Sequence, residues 1–115
     1  MSAETIRTLI FGMPTRLNTA AAEGLQATIE FVLSGPDGGT FAVTVADGVA
    51  IAAEQSAPAP DLSLRMSPTT YIEIAMGRLS GPQAFFRRKV KFTGDLALAM
   101  KLHTLFPSLK GQGQA

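Results

Sequence analysis

The feature that most constrains the fold is a strict alternation of apolar and polar residues in the first half of the chain. Residues 25–33 place apolar side chains at every second position, at Leu25, Ala27, Ile29, Phe31 and Leu33. Residues 40–45 repeat the pattern with Phe41, Val43 and Val45. Because successive side chains of a strand point to opposite faces, a period of two predicts half-buried β-strands. The chain therefore needs a sheet with one apolar face.

Turn-forming residues separate these strands from three more. Asp47-Gly48 predicts a tight hairpin turn, since both residue types tolerate positive φ. A third strand follows, with Val49, Ile51 and Ala53. After a proline-containing link over residues 57–60, a fourth strand points Leu62, Leu64 and Met66 inward. A fifth strand has Val90 and Phe92 alternating with basic and polar residues.

Helix signals surround the strands. The predicted helices begin at or just after Ser2, Pro14, Ser67, Pro82 and Asp95, which are capping residues or first-turn prolines. The second of these helical pieces covers residues 14–23. A four-stranded meander followed by helices, a fifth strand and a last helix predicts an α+β fold. Its five-stranded, mainly antiparallel sheet is covered on one face by helices.

Composition excludes several classes of protein. The 115 residues include no cysteine and one histidine, which rules out disulfides, cysteine-ligated metals and a multi-histidine site within one chain. We expect no metal and no cofactor. Residues 1–109 form one predicted domain, with a flexible tail over residues 110–115. No signal peptide or membrane-spanning run is evident, so a soluble cytoplasmic protein is expected.

Charge is segregated along the chain although the formal net charge is only +1. Residues 78–110 hold seven basic residues against the single acid Asp95. The dense part of this segment, residues 87–91, has two interpretations: a solvated edge, or a surface for anionic lipid headgroups or a ligand phosphate. Under the second interpretation Arg87 and Arg88 contact a membrane transiently. Nucleic-acid binding is not predicted, because no recognised module surrounds the segment.

The last helix is unusually apolar. At 100° per residue, its apolar side chains and His103 fall within an arc of roughly 220°, about twice the stripe of an ordinary surface helix. We therefore expect the helix to bury most of its circumference, against the core, a dimer partner or a bound lipid. His103 has no nucleophile motif nearby, and no catalytic residue is predicted. An enzyme is thus disfavoured.

Short motifs in residues 77–107 carry a family resemblance. They are G-x-L-x-G at Gly77, Leu79 and Gly81, the aromatic pair Phe85 and Phe86, K-x-x-G-D at Lys91, Gly94 and Asp95, and the final Leu105 and Phe106. In their order and spacing they resemble the sterol carrier protein 2 family of lipid-binding domains. The resemblance implies a five-stranded sheet with helices that enclose an apolar tunnel.

The resemblance also implies a function. We expect reversible binding, and transfer, of a sterol, fatty acid, acyl-CoA, phospholipid or isoprenoid. The residues predicted to bind lipid are Ile74, Phe85, Phe92, Met100, Leu102, Leu105 and Phe106, and Arg16 is the candidate for a head-group contact. The alternative is an accessory module, for example in quinone biosynthesis, whose apolar surface binds a protein partner. The sequence specifies neither the ligand nor the oligomeric state.

Overall fold

The computed structural model describes residues 3–109. The predicted cap at Ser2 and the predicted tail over residues 110–115 lie outside this range. The strands are β1 (Ala27–Leu33), β2 (Gly39–Ala46), β3 (Val49–Ala53), β4 (Leu62–Met66) and β5 (Val90–Gly94). The α-helices are α1 (Ala3–Phe11), α2 (Pro68–Ala75), α3 (Gly81–Phe86) and α4 (Leu96–Leu105), and a 3-10 helix covers Met13–Arg16. The predicted α+β fold is confirmed.

The five strands form one sheet in the order β3-β2-β1-β4-β5. Neighbouring strands are antiparallel except β1 and β4, which run parallel. The sheet is therefore mainly antiparallel, as predicted, but the four-stranded meander is wrong. A meander would place β4 beside β3, whereas the chain crosses back to pair β4 with β1.

Glu30, at the middle of β1, anchors this crossover. Its carboxylate accepts hydrogen bonds from the Ala57 backbone N–H at 3.0 Å and from the Ser63 hydroxyl at 2.8 Å. The Thr28 N–H donates to the Asp61 carboxylate at 2.7 Å, which fixes the start of β4. These contacts join residues about 30 positions apart, so local periodicity gives no sign of them.

The alternating residues of β1, β2 and β4 meet on one face of the sheet, whereas Val49 and Ile51 of β3 point to the other face and are exposed. Phe31 pairs across the ladder with Phe41 on one side and Leu64 on the other, and all three are buried. Paired residues share a face, so this face is the core that the helices cover. Phe11 of α1 packs edge-on against Phe41 at 6.2 Å between ring centroids, and Tyr71 of α2 packs edge-on against Phe31 at 5.7 Å.

The predicted helix over residues 14–23 is wrong. The chain forms only the 3-10 turn that ends at Arg16 and then a series of turns. Asn18 explains the interruption, because its side-chain oxygen accepts from the Ala21 N–H at 3.1 Å, a local bond that competes with a regular helix. The Asn18 N–H donates to the Leu105 carbonyl at 2.8 Å, which ties this segment to the end of α4.

The starts of α2, α3 and α4 agree with the sequence to within one residue. The Ser67 hydroxyl accepts from the Thr70 N–H and the Asp95 carboxylate accepts from the Leu98 N–H, both at 3.1 Å. Ser80 and Gln83 form a reciprocal capping box at the start of α3. The Asp47-Gly48 turn has positive φ at both residues, as predicted. At Gly94, where φ is +111°, a Cβ atom would collide with the Asp61 carbonyl.

Candidate functional site

The residues predicted to bind lipid differ widely in burial. Leu105 is fully buried in the core, whereas Phe85 and Met100 are 47% and 67% exposed. The others pack half-buried against the core, at Ile74, Phe92, Leu102 and Phe106. The predicted set therefore extends from the interior to the surface of the helical layer.

An aromatic row connects interior and surface near β5. Phe92 shares the core face with Leu64, its partner across the ladder. Phe85 of α3 lies 5.6 Å from Phe92 between ring centroids, and Phe86 lies 6.0 Å from Phe85 in an edge-on arrangement. Phe86 is 82% exposed. The structure thus brings two predicted lipid-binding residues together and places Phe86 at the outer end of the row.

Within the described chain, helix α4 does not bury most of its circumference, so its coverage by a bound lipid or a dimer partner stays a prediction. Only Leu98 and Leu105, seven residues apart, are buried. Leu96, Met100 and His103 are exposed. The physical reason is that α4 rests on the sheet along one stripe, and no other element of the described chain covers its far side. A large apolar arc in the sequence becomes an exposed apolar surface here.

Arg16 lies beside a buried tyrosine. Its Nη2 donates to the Leu9 carbonyl at 3.1 Å, and its buried Nε has no hydrogen-bond partner. Burial raises the pKa of Tyr71 to about 12, partly opposed by the positive charge of Arg16 nearby. A buried donor without a partner is costly, on the order of 1–3 kcal/mol. An oxygen atom of a ligand at this point would satisfy it.

Two clefts open elsewhere on the described surface. The larger, about 420 Å³, is lined by Thr19, Glu23, Gly24, Leu25, Gln26, Asp47 and Gly48. The smaller, about 120 Å³, shares Leu25 and Gln26 and reaches Leu98 of α4. None of the residues predicted to bind lipid lines either cleft, so the apolar tunnel stays a prediction.

The basic segment is exposed. Arg87, Arg88, Lys89 and Lys91 all lie at the surface. Within residues 3–109 none of them forms an ion pair, in contrast to Arg78, which contacts the Glu73 carboxylate at 3.2 Å. The described residues contain no cluster of side chains suited to a metal ion. Within the same range no helix has the length and apolar character needed to cross a bilayer.

Sequence reasoning missed two residues of this region. Tyr71 is the only tyrosine of the sequence and lies in an apolar helix. A tyrosine ring that is buried there needs a polar neighbour for its hydroxyl group. Phe86 belongs to the aromatic motif, but the sequence does not assign it to a site. The sequence signal for it is its position directly before three consecutive basic residues. Burial and ring contacts in the structure identify both residues.

Comparison with known protein families gives a match over most of the chain. The model of the SCP-2 sterol transfer family matches residues 10–107. Hydroxysteroid dehydrogenase-like protein 2 from Bos taurus is 30% identical over 97 residues, which are 84% of this chain and 23% of that protein. Sterol carrier protein 2 from Homo sapiens is 33% identical over 76 residues, which are 64% of this chain and 14% of that protein.

The chain thus spans less than a quarter of the length of these curated relatives. The solution structure of the sterol carrier protein domain 2 of Helicoverpa armigera superposes with a TM-score of 0.68 at 24% identity. That match covers 89% of this chain and 82% of the other. The superposition supports the same arrangement of sheet and helices in the two chains.

Proposed function

The chain belongs to the SCP-2 sterol transfer family, and from that premise we propose that it binds an amphipathic lipid reversibly and transfers it, without catalysis. The observation that carries the proposal is that α3 and α4 leave apolar side chains exposed, among them Phe85 and Met100. A lipid chain in contact with such side chains would remove them from water. The ligand class is a sterol, fatty acid, acyl-CoA, phospholipid or isoprenoid.

The energetics of such binding are favourable. Burying one methylene is worth about 0.8 kcal/mol, so a chain of about 16 carbons has roughly 12 kcal/mol of gross transfer free energy available. Association and side-chain ordering remove a large part of it. In this proposal Phe92, Leu102 and Phe106, half-buried against the core, contact the lipid chain directly. Contact with Leu105 requires α4 to move away from the sheet, because Leu105 is fully buried.

Arg16 is the proposed head-group contact. Its free Nε donor is buried, and a carboxylate or phosphate oxygen would accept a charge-assisted hydrogen bond from it. The buried Tyr71 hydroxyl supplies a second polar group nearby. This pairing favours a ligand with one anionic or polar end and one apolar end.

Lipid occupancy is tested by native mass spectrometry of the freshly purified protein, followed by organic extraction. A bound lipid in stoichiometric amount is the expected result. Recovery of a protein partner with no lipid would contradict the carrier proposal and favour the accessory role, for example in quinone biosynthesis.

The ligand surface is tested on α4 with a matched pair of variants. Met100→Glu and Thr104→Glu each add one negative charge at an exposed position of the same helix. Only Met100 belongs to the proposed lipid surface, so Met100→Glu should weaken binding of a fluorescent fatty acid by tenfold or more, on the order of the cost of desolvating a charge. Equal effects of the two variants would contradict the assignment.

The head-group contact is tested with Arg16→Gln and two ligands of equal chain length. A charged hydrogen bond contributes about 1.5–3 kcal/mol, so fatty-acid binding should weaken roughly tenfold to a hundredfold. Binding of the corresponding fatty alcohol should change little. Equal losses for both ligands would indicate that Arg16 supports the fold, since it also contacts the Leu9 carbonyl.

A further inference from the structure

We infer that the surface formed by Phe86, Arg87, Arg88 and Lys89, here called the α3–β5 corner, docks onto an anionic lipid bilayer. In this docking Phe86 enters the bilayer interface while the basic side chains contact the lipid headgroups. The purpose of the docking, lipid exchange, rests on the proposed function. The docking itself can be measured without any ligand in the protein.

The hydrophobic part of the corner is Phe86. Its side chain is 82% exposed, the highest fraction among the large apolar residues of the described chain. It is supported from below by Phe85 at 6.0 Å, which rests in turn on Phe92 at 5.6 Å. Phe86 is thus the outer end of a row of three aromatic rings. Aromatic rings favour the membrane–water interface.

The electrostatic part is a run of unopposed positive charge. Residues 78–94 contain no acidic residue. Within the described chain none of the three basic residues of the corner forms an ion pair. All three are exposed, so their charge is available to an external anionic surface.

The backbone holds the corner in a defined shape. Arg88 has φ of +60°, in the left-handed region where helix ends favour glycine. Its N–H donates to the Phe85 carbonyl at 3.0 Å, and the Lys89 N–H donates to the Ala84 carbonyl at 2.8 Å. These two bonds close the end of α3 and fix the backbone at Arg88 and Lys89, directly after Phe86. A charged side chain occupies a position where glycine would be easier to accommodate.

The combination favours a bilayer over other polyanions. Basic side chains alone would suit a nucleic acid or an acidic protein equally well. An exposed phenyl ring followed directly by three cations matches the layered chemistry of a membrane surface, with anionic headgroups outside and acyl chains beneath. The ring contributes through the hydrophobic effect, and the basic side chains contribute through electrostatic attraction, which salt screens. Measurements at low and high salt therefore separate the two contributions.

The experiment is vesicle flotation of the full chain at low and high salt. Vesicles of phosphatidylcholine alone are compared with vesicles that also contain phosphatidylserine. The test variants are Phe86→Ser and the double variant Arg87→Ser with Arg88→Gly, in which glycine suits the left-handed backbone and preserves the turn. The controls are Ile51→Ser and Arg7→Ser near β3, the opposite edge of the sheet. Ile51 is 66% exposed, and Arg7 is exposed on α1 with its partner Glu54 directly after β3.

The wild type should bind phosphatidylserine vesicles more strongly than neutral ones. The double arginine variant should bind them about fivefold more weakly per charge removed. High salt should abolish that difference, because the Debye length falls from about 8 Å at about 0.15 M salt to about 3 Å at about 1 M. Phe86→Ser should weaken binding about tenfold at either salt concentration. The control variants should behave as wild type.

Equal binding of wild type and test variants, or equal losses in the controls, would overturn the inference. Binding to an acidic protein or nucleic acid in preference to phosphatidylserine vesicles would also overturn it. Fluorescent fatty-acid titration in solution distinguishes this failure from failure of the proposed function. If the titration shows no binding while the vesicle results hold, lipid carriage is wrong and docking stands. If fatty acid binds but the test variants float as wild type does, docking is wrong and lipid carriage stands.

Discussion

The two halves of the helical layer differ in how they use apolar residues. In one half, α1 and α2 cover the central strands, and Phe41, Ile29 and Val43 are almost completely buried. In the other half, α3 and α4 leave Phe86 and Met100 largely exposed. We refer to these as the packed half and the open half. The comparison indicates that the packed half holds the fold together, while the open half keeps apolar surface available for a ligand or a membrane.

Position in the sheet accounts for the difference. The packed half covers β1 and β2, and every inward residue there finds neighbours on both sides. β5 is an edge strand, and α4 contacts the core through one stripe that includes Leu98 and Leu105. An edge strand and a single stripe cannot cover all apolar side chains of these elements.

Truncating one phenylalanine in each half should give the greatest contrast. Phe41→Ala creates a cavity in the packed half and should lower the free energy of unfolding by about 3–5 kcal/mol. Phe86→Ala removes an exposed ring and should change it by no more than about 0.5 kcal/mol. Urea unfolding followed by far-UV circular dichroism measures both. Similar losses in the two variants would break the division between the halves.

High pH should destabilise the packed half through Tyr71. Burial raises the pKa of Tyr71 to about 12, above the unfolded value near 10. Below pH 10 the Tyr71 phenol is neutral in both the folded and the unfolded chain. Between pH 10 and 12 it ionises more readily in the unfolded chain, so the free energy of unfolding should fall by about 2–3 kcal/mol. Tyr71→Phe should lack this part of the decline in urea titrations across that range. An identical decline in both proteins would contradict the assignment.

Removing a helix cap should act differently in the two halves. Ser67→Ala at α2 and Asp95→Ala at α4 each remove an N-cap hydrogen bond of 3.1 Å, worth about 1 kcal/mol. In the packed half this should lower the global free energy of unfolding. In the open half it should mainly speed hydrogen exchange of the α4 amides, because that helix opens locally. A global loss from Asp95→Ala equal to that from Ser67→Ala would show that α4 unfolds only with the core.

The smallest effect is expected from relieving a left-handed residue. Arg88→Gly in the open half should raise the free energy of unfolding by about 0.5–1 kcal/mol, since glycine adopts φ near +60° without steric cost. Asp47→Gly, at φ of +55° in the β2–β3 turn, is the matched change in the packed half. Aspartate tolerates this conformation better than arginine, so its gain should be smaller. Thermal unfolding of the two variants checks the order.

Local patterns predicted much of the fold correctly. Alternation identified the inward residues of β1, β2 and β4, because the side-chain period of a strand needs no knowledge of its partners. Capping chemistry located the starts of α2 and α4 at Ser67 and Asp95, because the cap and the amide that it binds are three residues apart. These features depend on neighbours in sequence.

Non-local contacts account for the errors. The pairing of β4 with β1 rests on Glu30 and Asp61, whose partners are about 30 residues away. The loss of the predicted helix over residues 14–23 depends on Asn18, which binds the end of α4 as well as its own turn. Helical periodicity counts the apolar side chains of α4 but not the elements available to cover them, so it did not predict which of them the fold leaves exposed.

The sequence by itself determined the α+β class, the apolar face of the sheet, the family motifs and the segregation of charge, since each follows from residue order at short range. The tertiary structure alone decided which strand pairs with which and which apolar side chains stay exposed. It also placed the free Nε of Arg16 beside the buried Tyr71 and set Phe86 at the end of an aromatic row next to unpaired cations. Whether a side chain is buried or paired depends on both of the surfaces that come into contact, whereas sequence periodicity describes only one of them.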